Sequence, residues 1–279
     1  MSAEAAEITR ASKSNLALAF VALDRERRRD ITVFYAFCRV IDDVVDASQL
    51  DVDLKQKQLD LWRAALRSPQ PNESELAPEI RRLIDKYHLA PEMLDEIIAG
   101  VEMDLRISRY ATFEDLRLYC YRVASAVGLV SIEIFGCRDP RGKEYAINLG
   151  LALQMTNIIR DVARDLRQNR IYLPQEDLAR FNYSERDLQD RQYDSRFIAL
   201  MEFEAERAEN FFAQAREALP AQDRQSLVAA EIMRSVYDAI LQRMKRDRFR
   251  LFEKEYRLSK LEKVSRIAAE LFKFYLNRR

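Results

Sequence analysis

A single histidine, His88, is all the imidazole in a chain of 279 residues. A Ser-His-Asp triad would have to rest on it alone. A di-iron bundle built from paired Glu-x-x-His motifs needs two histidines and is excluded. Cysteine is almost as scarce. Cys38, Cys120 and Cys137 are odd in number and lack metal-ligand spacing. No signal peptide is visible at the N-terminus, so reduced thiols and a cytoplasmic setting are expected. Five Gly and seven Pro leave little loop chemistry, and the chain reads as mostly helix. Neither sign of charge is in excess: 46 basic side chains stand against 46 acidic ones, which argues against a dedicated nucleic-acid binder. No apolar run reaches the length of a membrane span, and no repeat of solenoid length is present.

What the chain does have is apolar content, 48% of its residues, enough for a sizeable core. Hydrophobic spacing predicts helices over about 24–47, 51–67, 76–87, 91–109 and 113–136, then a long one after Gly142, and finally 194–218, 221–252 and 256–277. Residues 1–19 form a short amphipathic start, with Lys13-Ser14-Asn15-Leu16 leading into Leu18 and Phe20. Asp24 is placed to cap the next helix, and the basic cluster Arg25 to Arg29 reads as a solvated turn. The clearest loop, Ser68 to Ser74, could pass for a linker. The helices on its two sides have the same character, so one domain over 1–279 is expected. The acidic pair Glu102 and Asp104 is assigned to the surface. Small residues at Ala124-Ser125-Ala126 and Gly128 weaken helix propensity, and suit close approach by another helix or by a flat hydrocarbon chain. The last helix, aromatic and basic, reads as core packing with a charged end, with a peripheral membrane contact as the alternative.

The most informative stretches are Tyr35 to Asp46 and Gln154 to Asp165. Each contains an Asp followed four residues later by another Asp, within an otherwise apolar segment. At about 100° per residue, Tyr35, Arg39, Asp42 and Asp46 fall within roughly 60° of one another, and Gln154, Asn157, Asp161 and Asp165 within roughly 80°. Charged helices produce one Asp-x-x-x-Asp by chance as a solvated face. Two such stripes, each interrupting an apolar run and each carrying amide, Tyr or Arg neighbours, are more specific. Facing one another they would wall a cavity with four carboxylates, which repel and need cations. Oxygen-only ligands suit Mg²⁺ held by a few carboxylates and by substrate phosphates. Arg160 and Arg164 add donors for phosphate oxygens. The chemistry that fits is diphosphate binding through bridging metal ions.

With these motifs, the chain resembles the head-to-head prenyl synthases, the family of squalene, dehydrosqualene and phytoene synthases. The resemblance rests on Tyr35 to Asp43, Tyr119 to Gly128, Gln154 to Asp165 and Arg170-Ile171-Tyr172-Leu173-Pro174, in that order and spacing. Lys13 to Leu16 and Tyr121 to Leu129 look most like the bacterial branch that makes presqualene diphosphate for hopanoid synthesis.

The resemblance implies an all-α isoprenoid-synthase helical bundle with a central cavity, in which two farnesyl diphosphates bind with Mg²⁺, or Mn²⁺ in its place, and without NADPH. Position by position, Asp42, Asp46, Asp161 and Asp165 match metal-binding acids, with Asn157 supporting metal and diphosphate and Gln154 on the same wall. Tyr35, Arg39 and Arg160 match diphosphate or cavity positions. Tyr119 and Tyr237 match positions close to the reacting carbons, and Arg170 and Tyr172 a flap over the diphosphate. Phe20, Phe34, Phe37, Leu153 and Ile158 would hold the prenyl tails. The chain departs from the pattern at Arg164, where an acid is usual, at Asn169, where a Gly is usual and a blunter turn is expected, and at Asp24, where a Pro is common. Squalene made with NADPH, dehydrosqualene and phytoene are alternative products. A non-catalytic assembly partner of the same fold is an alternative of a different class, and gives no reason to keep four acids.

Overall fold

Long stretches without Gly or Pro, punctuated by good capping residues, set the helix boundaries. The structure, a computed structural model, describes residues 5, 7–9, 19–47 and 50–276, the side chains of 274–276 excepted. Lys13 to Leu16, Leu18 and the terminal Asn277 to Arg279 lie outside the described residues. After a 3₁₀ turn at Phe20–Ala22 come α1 (Arg25–Asp46), α2 (Val52–Arg67), α3 (Leu76–Tyr87) and α4 (Pro91–Met103). The long middle helix follows as α5 (Phe113–Cys120), a π-helical turn (Tyr121–Ser125) and α6 (Ala126–Phe135). Then come α7 (Arg141–Arg167), α8 (Gln175–Arg180), α9 (Glu185–Gln189), α10 (Ser195–Ala218), α11 (Val228–Arg246) and α12 (Lys260–Leu276). No strand occurs among the described residues, only an isolated parallel bridge between Arg109 and Ile171. The fold is all-α, as the sequence predicts.

Caps explain most of the starts. Asp24 accepts from the backbone N–H of Glu26 and Arg27 at 3.0 and 2.9 Å, and Asp51 accepts from that of Leu54 at 2.8 Å, satisfying donors that a helix leaves orphaned. Thr112 with Asp115, and Ser184 with Asp187, form capping boxes. His88 closes α3 in the left-handed region at φ 50°, so the only histidine serves as a helix stop. Arg28 hydrogen-bonds to the carbonyls of Phe20, Val21 and Leu23, so the basic cluster is partly a strap across the preceding turn.

Four boundaries differ from the predicted ones. α4 stops at Met103 rather than near 109, because the chain turns at Asp104. The helix predicted over 221–252 is a 3₁₀ turn at Ala221–Asp223 followed by Val228–Arg246. The last helix starts at Lys260, and α8 and α9 are short helices that apolar periodicity does not reveal. The 113–135 stretch, 23 residues long, is apolar enough by length and composition to cross a membrane, which corrects the expectation that no such run exists. Half of its most apolar 18-residue window is buried inside the bundle, as suits a core helix.

The core is continuous. Phe37 lies between Phe34, at 6.4 Å, and the edge of Trp62, at 5.5 Å. Each large side chain removed from water in this way contributes about 1.5–3 kcal/mol. These two Phe are therefore core residues; neither lines the cleft described below. α7 and α10 form the most extensive helix pair. On its other side α7 approaches the π-helical turn so closely that a Cβ on Gly150 would stand 2.5 Å from Ser125 Cα. Ser125 Oγ donates to the Ile147 carbonyl at 2.8 Å. Of the two uses foreseen for the small-residue run, close helix packing is the one realised here.

Polar staples set helix positions. Asp30, 1% exposed on α1, accepts from Arg82 (2.8 Å), Lys86 (2.5 Å) and Tyr87 (2.8 Å) of α3. Burial acts to raise its pKa, but these donors outweigh it and hold it below the usual carboxylate range. Arg207 of α10 bonds both Glu204 (2.8 Å) and Asp177 of α8 (2.9 Å), all three shielded from solvent. That staple fixes α8, and with it the loop leading into α8.

Candidate active site

The C-terminal half of α1 and of α7 face a common cleft of about 240 Å³. Asp42 and Asp46 line it from α1. Gln154, Asn157, Arg160, Asp161, Arg164 and Asp165 line it from α7. Helical spacing of three and four residues places each set on one face, and the two stripes meet as the sequence predicts. The remaining walls are Asp104 in the turn after α4, Tyr119 on α5, and Gln168, Arg170 and Tyr172 in the loop after α7.

Five carboxylates thus face three guanidinium groups. Arg160 grips Asp161 with two hydrogen bonds, at 2.9 and 2.5 Å. Arg170 reaches Asp46 at 3.6 Å. The uncompensated acid shows in the titration of the rest. Burial raises Asp42 to about 7, helped by Asp46, Asp104 and Asp43 and opposed by Arg39. Burial also raises Asp165 to about 7, with Asp161 and Asp104 adding to the rise and Arg164 and Arg170 opposing it. Asp42 is open to the cleft, so water moderates its shift more than that of Asp165. Asn157 donates from Nδ2 to Gln154 Oε1 at 3.2 Å, while its Oδ1 is buried without a partner. A partnerless buried acceptor beside excess carboxylate is a place where a cation fits. The donor set is all oxygen, which matches a hard divalent ion such as Mg²⁺. Among the described residues no three such side chains already converge into a metal cluster. Ions held here would share their coordination with phosphate oxygens, as Mg²⁺ prefers.

The loop 168–174 closes one end. Arg170 N–H donates to the Asp165 carbonyl and Ile171 N–H to that of Ser108, each at 3.0 Å. Asn169 adopts φ 57°, the left-handed conformation that Gly would take and that Asn tolerates. Arg109 holds its carbonyl at 2.7 Å and its Oδ1 at 3.1 Å. The expectation of a blunter turn at Asn169 is therefore corrected: Asn takes the glycine-like conformation.

Asp104, expected at the surface, lies instead on the cleft wall. It accepts from the Tyr172 hydroxyl at 2.8 Å and from the Tyr119 hydroxyl at 3.0 Å. The two rings stack at 5.1 Å, with Tyr110 behind them at 6.0 and 5.6 Å. Burial raises the Asp104 pKa, and it pushes both tyrosines well above their ordinary range. Asp104 caps the end of α4 three residues after the buried Val101, and the turn there, which no Gly or Pro announces in the sequence, carries it to the cleft wall. Glu102 does belong with the outer helices, where it pairs with Arg63 and Gln56.

Three expected members lie away from the cleft lining. Tyr35 turns its ring toward Phe20, edge-on at 6.2 Å. Arg39 is drawn outward by Asp43 at 2.5 Å. Tyr237 does not line the cleft, although its side chain lies near enough to Arg160 to interact with it electrostatically. The first stripe therefore contributes two acids and no donor. Ile158 does line the cleft, while Phe20 is buried.

The family model for squalene/phytoene synthases matches residues 9–262. The chain belongs to that family. A 15-cis-phytoene synthase from Synechocystis is 36% identical over 270 residues, covering 90% of this chain and 80% of the relative. The phytoene synthase of Mycobacterium tuberculosis is 31% identical, covering 95% and 88%. Among solved structures, a dehydrosqualene synthase in complex with ligand superposes with a TM-score of 0.83 at 26% identity, covering 99% of this chain and 96% of that one. Squalene synthase HpnC from Alicyclobacillus acidocaldarius gives 0.75 at 27%, covering 88% and 93%. For a squalene/phytoene synthase the all-α bundle is the isoprenoid-synthase fold, and the activity is that of a prenyltransferase condensing prenyl diphosphates head to head.

Proposed function

We propose that the protein condenses two farnesyl diphosphates to presqualene diphosphate, releasing one diphosphate and one proton. The observation that carries this reading is the pair of facing acid walls, Asp42/Asp46 and Asp161/Asp165, around a polar cleft. Asp42, Asp46, Asp161, Asp165 and Asn157 are the residues that would hold Mg²⁺. The ion would supply charge neutralisation of the leaving diphosphate, favouring ionisation of the allylic C–O bond. Arg160, Arg164 and Arg170 present guanidinium donors to the same phosphate oxygens. The stacked Tyr119 and Tyr172, oriented by Asp104, offer ring faces to an allylic cation, and the closed loop keeps water from it. The double bond of the second substrate attacks that carbon, and loss of a proton closes the cyclopropane ring. No hydride is consumed to this point, so no NADPH is called for.

The C15 substrate is supported by the two similar solved structures, a dehydrosqualene and a squalene synthase, and by the motif at Tyr121 to Leu129. The curated relatives, phytoene synthases at 31–36% identity, favour a second reading, the same reaction on a C20 diphosphate. Purified protein, Mg²⁺ and each diphosphate in separate tubes, with and without NADPH, distinguishes them by mass spectrometry. A C30 diphosphate from farnesyl diphosphate in both tubes is the expected result. Product only from geranylgeranyl diphosphate would replace it with the phytoene reading. Turnover of neither would sink both.

A further inference from the structure

α12 is packed with a largely polar side inward, Ile267 being its apolar contact with the core. Leu261, Val264 and Phe272 are 82%, 61% and 62% exposed. With the exposed Ala268 they fall within about 80° of one another around the helix, an apolar stripe facing away from the protein. The inward side carries Glu262 paired with Arg243, Arg266 donating to the Ser235 carbonyl and Oγ at 3.1 Å each, and Glu270, only 8% exposed. Core packing, the sequence-based expectation for this helix, would place these faces the other way round.

The same region concentrates basic charge. Residues 243–273 contain eleven Lys and Arg against five Asp and Glu, in a chain that is balanced as a whole. Arg243, Arg246, Lys254 and Arg257, with Asp247 and Glu255 among them, line an open cleft beside the start of α12. Several of these basic side chains are ion-paired, such as Lys254 with Asp247 and Arg257 with Glu255. Arg246, Arg248, Lys260 and Lys263 have no carboxylate partner among the described residues.

We propose that the outer face of α12 and the adjoining basic cleft dock the protein on an anionic lipid bilayer. The stripe enters the boundary between headgroups and acyl chains, and the unpaired Lys and Arg meet lipid phosphates. Charge selects this occupant over a second copy of the chain, since two such basic surfaces would repel each other on contact. The docking surface is independent of the reaction proposed above, and its test needs no turnover.

The test is co-sedimentation of the full chain with phosphatidylcholine vesicles, with and without phosphatidylglycerol, at low and high salt. The expected result is binding to the phosphatidylglycerol vesicles that weakens with salt. The triple variant Leu261→Ser, Val264→Ser, Phe272→Ser should bind about 100-fold more weakly. The double variant Arg246→Glu, Lys260→Glu should lose the preference for phosphatidylglycerol while keeping its helix content. Wild-type protein that stays in the supernatant with anionic vesicles would overturn the proposal. So would light scattering that shows a dimer converted to monomer by the first variant, with vesicle binding unchanged. If the first variant fails to fold, the second still decides the matter through the lipid preference.

Discussion

Without divalent metal, the protein should become less stable as pH rises from about 4 to about 7. Asp42 and Asp165 are raised to about 7 in the folded state. A carboxyl with a higher pKa folded than unfolded holds its proton more tightly in the folded state. Its destabilising effect grows as pH climbs from the unfolded value to the folded one, then levels off. For Asp165 a rise of about three units at about 1.4 kcal/mol per unit gives an upper bound of about 4 kcal/mol. Water in the cleft reduces this to about 2 kcal/mol, and Asp42, open to the cleft, adds less. In a domain of this size about 2 kcal/mol corresponds to about 4–8 °C in Tm. Glu204, raised to about 8 chiefly by burial, acts in the same direction, so the control is Asp165→Asn, which should remove its own share alone. Glu73 and Glu262, held down to about 2, the first by its hydrogen bond with Arg81 and the second by Ser259, act only at lower pH. The assay is thermal unfolding in chelator from pH 4.5 to 8, repeated with Mg²⁺ and inorganic diphosphate, which should restore stability at pH 8. A metal-free Tm that is flat or rises over this range, or an Asp165→Asn profile identical to wild type, would refute the reasoning.

Asp161→Asn with Asp165→Asn should abolish Mg²⁺-dependent turnover with helix content unchanged; retained turnover would leave the acid walls without a catalytic role. Asp104→Ala removes the acceptor for two buried tyrosine hydroxyls and should lower stability by about 2–4 kcal/mol, with kcat falling more than KM rises, while Asp104→Asn, which keeps one acceptor oxygen, should lose less; urea unfolding and steady-state kinetics read both. Gly150→Val should push α7 off the π-helical turn and cost about 2–3 kcal/mol or more, whereas the same change at an exposed helix position would not; a wild-type-like urea midpoint would contradict the close packing.

The four Asp and their joint cleft were legible because helical spacing alone puts i and i+4 on one face, and apolar flanks fix which face turns inward. The partners were less legible. Arg39 and Tyr35 share the angular position of Asp42, yet long side chains follow their own contacts, Arg39 to Asp43 and Tyr35 to Phe20. Asp104 was missed because its role depends on the chain turning after Met103, which no Gly or Pro announces. Asn169 looked like a departure by residue type, but its left-handed backbone and the Arg109 bonds depend on tertiary contacts. α12 was misread because its apolar period is genuine, and periodicity does not say which face the protein covers.

The claim on which the account rests is that the two acid walls hold diphosphate through divalent metal. The direct measurement is anomalous diffraction from crystals grown with Mn²⁺ and a non-ionising thio analogue of farnesyl diphosphate. Manganese peaks within coordination distance of carboxylate oxygens of Asp42 or Asp46 and of Asp161 or Asp165, shared with analogue phosphate oxygens, are the predicted result. Analogue bound in the cleft with no manganese between the walls, or manganese bound elsewhere, would contradict it.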